Sequence, residues 1–431
     1  MAKSYIISLD IGSFMIKGAL FEEENGEYIF LSKAKTETEG IIQGEIQDVE
    51  LVRSTINKLL NELKNSGSKK IKNYDLIVGY STNSLNISQD SLTVEPPEKK
   101  EIKVLDLKKI KNSIIKKYED EGKEVLDSNF MKFIVDDKTV RNPISFYSQK
   151  SLSASLNVVW VDENAFALLA NVLKRLDADS ITLYDSTLCT SYSITTATDR
   201  DIGLTVVDFG YHMCRIMIFK NGIPRMYYAF PYGIRYVLKD IQNVIKTTEK
   251  EAHRLLSEEA VCLRDTNAKP KRVDFIPISG NGKSVISQNL LNKIVFARIR
   301  EIISRMNGEL SKKSYENTLE MGALQGGIIY TGGGSYIKNI ESTIKDLMGK
   351  NFRKGIWVNK SFFKIPEDLK DDAEFIPVFS VLNKHLTEIN ETENEKIDFE
   401  EDNSPEPSSK NTGEKKSIIK NWFKKLSGGD E

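Results

Sequence analysis

The stretch Ser8-Leu9-Asp10-Ile11-Gly12-Ser13 runs on through Met15-Ile16-Lys17-Gly18-Ala19-Leu20-Phe21 to an Asn25-Gly26 dipeptide and Tyr28-Ile29-Phe30. Far along the chain the same design returns. It reads Val206-Val207-Asp208-Phe209-Gly210-Tyr211, then Arg215-Ile216-Met217-Ile218-Phe219, Asn221-Gly222 and Met226-Tyr227-Tyr228. Each copy is an apolar run ending in Asp-x-Gly, a second apolar run, and an Asn-Gly pair that favours a type I′ hairpin return. Either copy alone reads equally well as ordinary hairpin punctuation, but internal duplication is rarely accidental. Two such hairpins facing each other across a cleft would hold a polyphosphate between them. A nucleotide is therefore the first ligand to consider.

The residue types suit that chemistry. Glycine at position 12 can take backbone angles closed to other residues and lets main-chain N–H groups approach an anion. Ser13 adds a hydroxyl donor at the tip. Asp10 would hold a magnesium ion through water, because magnesium gives up its hydration shell reluctantly. Lys17, on the returning strand, would meet phosphate as a point charge. A third cluster, Ile328-Ile329-Tyr330-Thr331-Gly332-Gly333-Gly334-Ser335, is an apolar strand entering a glycine loop. The spacing of Ile337, Ile340, Ile344 and Leu347 predicts a helix after it. Glycines at such a turn let the backbone come close to a flat or anionic ligand. The loop has neither the Gly-Lys-Ser/Thr of a Walker motif nor the Rossmann fingerprint.

Taken in order, these motifs resemble the superfamily of actin, sugar kinases and heat-shock chaperone ATPases, and within it the bacterial cell-division protein FtsA. Gly40-Ile41-Ile42-Gln43-Gly44-Glu45-Ile46 is similar to that family's Gly-x-x-x-Gly-x-Ile element, and Asp199-Arg200-Asp201-Ile202-Gly203 resembles another of its blocks. The similarity runs from about residue 4 to 385, with an independent match at the extreme C-terminus. The resemblance implies an α/β, actin-like two-lobe ATPase fold of duplicated ribonuclease-H-like domains, with an inserted strand-helix-strand-strand subdomain and a C-terminal amphipathic helix. It implies ATP and Mg2+ as cofactors. Asp10, Gly12, Ser13, Lys17, Asp208, Gly210, Tyr211, Gly332, Gly333, Gly334 and Ser335 would bind the nucleotide, and Asp10 and Asp208 would carry any hydrolysis.

The resemblance also divides the chain. Residues 1–81 and 161–199 would form subdomain IA, 82–160 the inserted subdomain IC, 200–230 and 290–376 subdomain IIA, and 231–289 subdomain IIB. Residues 377–386 would return to IA. Coarse periodicity places a helix over Val49–Leu63, another over Asp106–Tyr118, strands near Phe130–Val135 and Leu156–Val161, and helices over Glu163–Leu176 and Val285–Asn307. The last of these carries Arg298 and Arg300, where the family binds the acidic C-terminal tail of the tubulin-like protein FtsZ. The bland alternative is that these arginines are a solvated face.

Composition agrees with a folded, non-membrane-spanning body. The 431 residues are 40% hydrophobic and 29% charged with a net charge of −1, which argues against nucleic-acid binding by bulk electrostatics. Cys189, Cys214 and Cys262 have no metal or redox spacing and read as buried thiols of a cytoplasmic protein. No apolar stretch is long enough to span a bilayer.

The charge is laid out unevenly at the end. From Thr387 to Glu414, ten acidic residues stand against Lys396 and Lys410. This segment (387–414) reads as a disordered acidic linker. As a random coil it would span on the order of 30 Å. Residues 415–428 follow as a basic amphipathic helix, with Ile418, Ile419, Trp422, Phe423 and Leu426 on one stripe and Lys420 and Lys424 on its rim. Burying that stripe in lipid gives several kcal/mol. Each lysine near anionic lipid adds about 1 kcal/mol, less the cost of ordering a short helix. One anchor would bind weakly, and a row of linked copies firmly. Docking of this helix on the protein's own body is the plainer alternative.

Three functions compete. The first is an FtsA-like protein on the inner face of the cell membrane at the division site. There it would polymerise, anchor FtsZ and recruit later division proteins through residues 82–160. The second is a PilM-like pilus-assembly adaptor of the same fold, which would lack the tether and terminal helix. The third is a sugar-kinase-type phosphotransferase, which needs a catalytic carboxylate in a substrate pocket; no motif for that pocket is found. Departures from the family pattern bear on hydrolysis more than on binding. Tyr211 and His212 replace further glycine and threonine, Ala252-His253 replaces Ala-Glu, and Ser380 replaces glycine. ATP binding with at most slow turnover is expected.

Overall fold

The computed structural model describes residues 4–66, 71–264, 271–280, 282–316, 324–358 and 361–401. In chain order the elements that position the site begin with β1 (Ser4–Ile11), β2 (Met15–Glu24), β3 (Glu27–Glu37), α1 (Val49–Asn65) and β4 (Asp75–Tyr80). The inserted segment follows as β5 (Asn86–Val94), α2 (Val104–Asp120), β6 (Lys123–Val135), β7 (Lys138–Val140) and β8 (Leu152–Asp162). Then come β9 (Ser180–Tyr184), α3 (Ser186–Ser193), β10 (Leu204–Phe209), β11 (Cys214–Lys220), β12 (Ile223–Phe230) and α4 (Arg235–Ile245). The chain closes with α5 (Gln288–Glu316), β13 (Ile328–Thr331), α6 (Ile340–Met348), β14 (Phe352–Lys354) and α7 (Ile376–Glu401).

Contacts divide the chain into two units, one of Met1–Ser81, Leu168–Thr195 and Gly355–Glu431, the other of Thr82–Ala167 and Thr196–Lys354. The first holds a five-stranded sheet of order β9-β4-β1-β2-β3 and the second one of order β14-β13-β10-β11-β12. In both, three antiparallel strands from one meander join two parallel strands delivered by later crossovers. The duplication extends to detail. Asp10 pairs across the hairpin with Lys17 and Asp208 with Arg215, and the register slips once in each second strand, at Leu20/Phe21 and at Ile218/Phe219. Such a slip bends a strand and re-aims the side chains beyond it. Both Asn-Gly returns have positive φ at both residues (56° and 80° at Asn25-Gly26, 56° and 81° at Asn221-Gly222), as a type I′ turn requires.

Local chemistry sets the helices. Asp48 caps α1, its Oδ1 accepting from Glu50 N at 2.9 Å and Leu51 N at 3.0 Å. On α1, Val52, Ile56, Leu59, Leu60 and Leu63 lie on the buried face. In the first unit Phe21, Phe363 and Phe379 are buried and meet edge to face with partly buried Phe30, centroids 5.1–6.3 Å apart. The second unit's core draws on β10–β12, α4, α5 and the segment 252–275.

The inserted sheet, of order β7-β6-β8-β5 with α2 on one face, packs with the second unit's meander. The buried Asn157 amide donates to Pro224 O at 2.9 Å, and Tyr227 OH donates to Thr82 O at 2.5 Å. The second unit takes in the chain from Thr82 through Ala167, past the end of β8.

Three expected elements differ. Residues 284–287 form a strand, so the helix expected from Val285 begins at Gln288. The run after the glycine loop is a 3-10 turn, Gly333–Tyr336, and Asn339 at φ 61° interrupts it before α6. The helix α7 continues to Glu401, so residues 387–401, expected as the start of a disordered linker, are helical. Residues 402–431, including the amphipathic stripe Ile418, Ile419, Trp422, Phe423 and Leu426 with Lys420 and Lys424, lie outside the described residues.

Candidate functional site: two Asp-x-Gly turns and a glycine loop

In the first unit the β1–β2 turn carries Asp10 at its base. Asp10 is 6% exposed; its Oδ2 lies 2.8 Å from Lys17 Nζ, and its Oδ1 accepts from Ser186 Oγ at 2.6 Å. A carboxylate oxygen has two lone-pair sites, so each keeps capacity for a further donor, such as water on a metal. Gly12 does not take a positive φ, contrary to the expectation that its angles decide its identity. A side chain is excluded instead by crowding, since a Cβ there would sit 2.7 Å from Met15 O. The N–H of Gly12 is used within the turn, donating to Met15 O at 3.2 Å. Ser13 stands half-buried at the tip. The turn is braced from the end of β3, where Thr38 Oγ1 donates to Gly12 O at 2.7 Å and Thr38 N to Phe14 O at 2.8 Å.

The β10–β11 turn repeats the arrangement. A Cβ on Gly210 would lie 2.6 Å from Met213 O, the same clash at the same place. Arg215 Nη1 is 3.8 Å from Asp208 Oδ2, with the two side chains 10% and 21% exposed. The glycine loop folds onto this turn. A Cβ on Gly332, which has φ of +81°, would overlap Asp208 Oδ1, and one on Gly334 would lie 2.5 Å from Phe209 Cβ. The loop and the turn are thus one structure, with Asp208, Gly210, Gly332, Gly333 and Gly334 gathered in it. Thr331, the register partner of Asp208, has a buried hydroxyl with no hydrogen-bond partner in the structure, which suits a site completed by a polar ligand.

Other expected contacts are committed elsewhere. Ser335 Oγ donates to Gly332 O at 2.7 Å and closes its own turn. Tyr211 OH donates to Glu249, and the ring meets His212 edge-on at 4.8 Å. The carbonyls of Gly210 and Tyr211 accept from Ile234 N at 3.0 Å and Arg235 N at 2.9 Å, locking the turn to the start of α4. Burial first, and then the neighbouring cations Arg235 and Lys239, hold His212 down to about 4, so its imidazole is neutral at neutral pH. Ser380 is 1% exposed and satisfied by Ile376 O at 2.7 Å. No group of three or more His, Cys, Asp or Glu among the described residues could hold a metal by itself.

The two arginines on α5 differ in their surroundings. Arg298 donates from Nε and Nη2 to the two Asp240 oxygens at 2.6 and 2.8 Å and from Nη1 to Glu301 at 2.6 Å. Its hydrogen bonds to the Asp240 carboxylate raise its pKa further. Its fork is spent on internal carboxylates, and Arg300 is the exposed member of the pair.

Sequence reasoning missed Ser186, Thr38 and the pairing role of Arg215. The last was legible, since Arg215 follows Asp208 at the spacing by which Lys17 follows Asp10. Ser186 reads only as part of an Asp-Ser-Thr helix start, and nothing local shows that it reaches Asp10.

Comparison with known proteins fits this picture. The family described as "Cell division protein FtsA" matches residues 205–371, from the second hairpin through the glycine loop. The chain is 23% identical to FtsA of Bacillus subtilis over 353 residues, covering 80% of this chain and 77% of that protein. It is 23% identical to FtsA of Borreliella burgdorferi over 400 residues, covering 89% and 92%. Among solved structures, the PilM-PilN type IV pilus biogenesis complex superposes with a TM-score of 0.55 at 14% identity, covering 87% of this chain and 96% of that one. MreB 5 of Spiroplasma citri bound to AMPPNP superposes with a TM-score of 0.51 at 12% identity, covering 92% and 98%.

Proposed function

Because this chain is a divergent relative of the cell division protein FtsA built on an actin-like fold, we propose that it binds ATP with magnesium, polymerises on the cytoplasmic face of the membrane and anchors FtsZ filaments there. The observation that carries the nucleotide reading is the duplicated Asp-x-Gly turn with a cation opposite in register, Lys17 in one unit and Arg215 in the other. Asp10 would hold magnesium, which when bound would neutralise phosphate charge. Lys17 and Arg215 supply fixed positive charge toward phosphate. Gly332, Gly333 and Gly334 let backbone approach the nucleotide without a side chain intervening. Asp10 is already engaged by Lys17 and Ser186, and no second carboxylate flanks it within its own turn. This supports slow hydrolysis.

Attachment is the work of the terminal stripe and its lysines at residues 415–428; no helix among the described residues is long and apolar enough to cross a membrane. The FtsZ tail, being acidic, is met by Arg300 on α5 rather than by Arg298. Later division proteins are recruited through residues 82–160. Electron microscopy of the protein on anionic lipid monolayers with Mg-ATP tests assembly, with ordered filaments as the expected outcome. Protein that binds ATP yet forms no ordered array on lipid overturns the polymer. Arg300→Glu should weaken FtsZ tail-peptide binding at least tenfold, on the order of the loss of a charge-assisted contact. An unchanged titration removes α5 as the docking face.

A further inference from the structure

We propose that Arg215 is a positioning residue that couples nucleotide occupancy at the Asp208 turn to the inserted segment beginning at Thr82; this rests on the nucleotide reading above. The two hairpins share their Asp-x-Gly turn and their register, with a cation facing the aspartate in each, but the cation differs. In the first, Lys17 sits 2.8 Å from Asp10. In the second, Arg215 faces two ways, with Nη1 3.8 Å from Asp208 Oδ2 and Nη2 donating to Asn83 Oδ1 at 3.1 Å. A Cβ on Gly210 would come within 3.8 Å of Arg215 Nη1, so the guanidinium lies against the turn itself. A planar fork can hold two partners at once in fixed geometry, which an ammonium cannot reproduce.

Asn83 is the entry to the inserted sheet. Its neighbour Thr82 accepts from Tyr227 OH on β12 at 2.5 Å. Further along β5, Gln89, with its amide oriented to satisfy its neighbours, accepts from Arg225 Nη1 and Nη2 at 3.0 and 2.9 Å. On β8, Asn157 donates to Pro224 O at 2.9 Å. The meander that carries Asp208 is therefore joined to residues 82–94 by side chains, and one of them also touches the phosphate turn. Phosphate arriving at that turn competes for the guanidinium, because charge-assisted contacts to Arg are directional and strong. When Arg215 re-aims, the hydrogen bond to Asn83 Oδ1 is lost and the start of the insert shifts.

Hydrogen–deuterium exchange of the full chain with and without Mg-ATP tests this, alongside a direct ATP titration. In the wild type, ATP should change exchange across residues 82–94. Arg215→Lys keeps the charge and loses the fork, so at matched ATP occupancy, set by the titration, it should reduce that change about fivefold, the scale of a modest coupling between sites. Asn83→Ala should do the same from the other end, and Asn83→Asp, which still accepts from a guanidinium, should preserve the change. A wild type that binds ATP with no change at 82–94 overturns the coupling. So do Arg215→Lys and Asn83→Ala proteins that keep the full change. A wild type that binds no ATP overturns the nucleotide reading itself and the coupling with it.

Discussion

Gly332 and Gly222 share a φ of +81° but not their surroundings. Nothing lies within 4 Å of a Cβ on Gly222, whereas one on Gly332 would overlap Asp208 Oδ1 and approach Phe209 O to 2.7 Å. Gly222→Ala therefore isolates the cost of a left-handed backbone, about 1–2 kcal/mol. Gly332→Ala adds displacement of the carboxylate at the candidate site. Denaturant titration should rank Gly332→Ala as the more destabilised. ATP affinity should fall at least tenfold in that variant alone; equal affinities would remove the loop from the nucleotide site. Asp136 offers a test in pH. Its φ is 45°, and its carboxylate accepts from Gln149 N, Lys150 N and Ser151 N at 2.7–3.1 Å. Those backbone donors, Lys150 first, hold its pKa at about 2, below the ordinary 3.8. Since the folded value is depressed, the ionised form stabilises the fold above pH 3.8, and that contribution fades as pH falls through 2. Asn tolerates the left-handed angle, so Asp136→Asn removes the charge and spares the backbone. The stability gap to the wild type should be full at pH 5 and close toward pH 2; a gap independent of pH would assign the effect to packing.

Elements were readable where local pattern and tertiary contact agree. The alternation and Asn-Gly returns of both hairpins place β1 to β3 and β10 to β12, because turn chemistry and twist act within a few residues. The helix Val49–Asn65 follows from its spaced apolar residues and the Asp48 cap. Reading failed where a distant partner decides. Ile337, Ile340 and Ile344 are all buried, but a left-handed Asn339 separates the first from the others, so one apolar period spans two structures. Arg298 looked available because Asp240, its bidentate partner, lies on another helix. Ser186 reaches Asp10 only through the order of the sheet. Phe379, near the start of α7, shows what one core contact is worth. Phe379 is fully buried and faces Phe21, Phe30 and Phe363 at centroid distances of 6.3, 6.3 and 6.0 Å. Phe379→Ala should cost about 3–5 kcal/mol, the range for a large aromatic cavity. A loss below 1 kcal/mol by urea titration would mean that α7 does not hold this core together.

At the scale of the molecule, the acidic run before residue 415 and the basic stripe after it pose a question of strength. If residues 415–428 form the proposed anchor, one short amphipathic helix would recover several kcal/mol from apolar burial and about 1 kcal/mol per lysine near anionic lipid. Much of that is offset by folding a helix that is marginal in water. A single chain should therefore leave the membrane readily. Chains joined in a filament share one encounter, and each further anchor binds at the high effective concentration set by its tether. Sedimentation with anionic vesicles should then rise steeply with protein concentration when Mg-ATP is present and only in proportion without it. Removing residues 415–431 should abolish binding in both cases, and raised salt should weaken the full chain, since the lysine contribution is screened. A truncated protein that still co-sediments with ATP would place the lipid contact on the folded body. Linear binding by the full chain would deny that assembly and attachment reinforce one another.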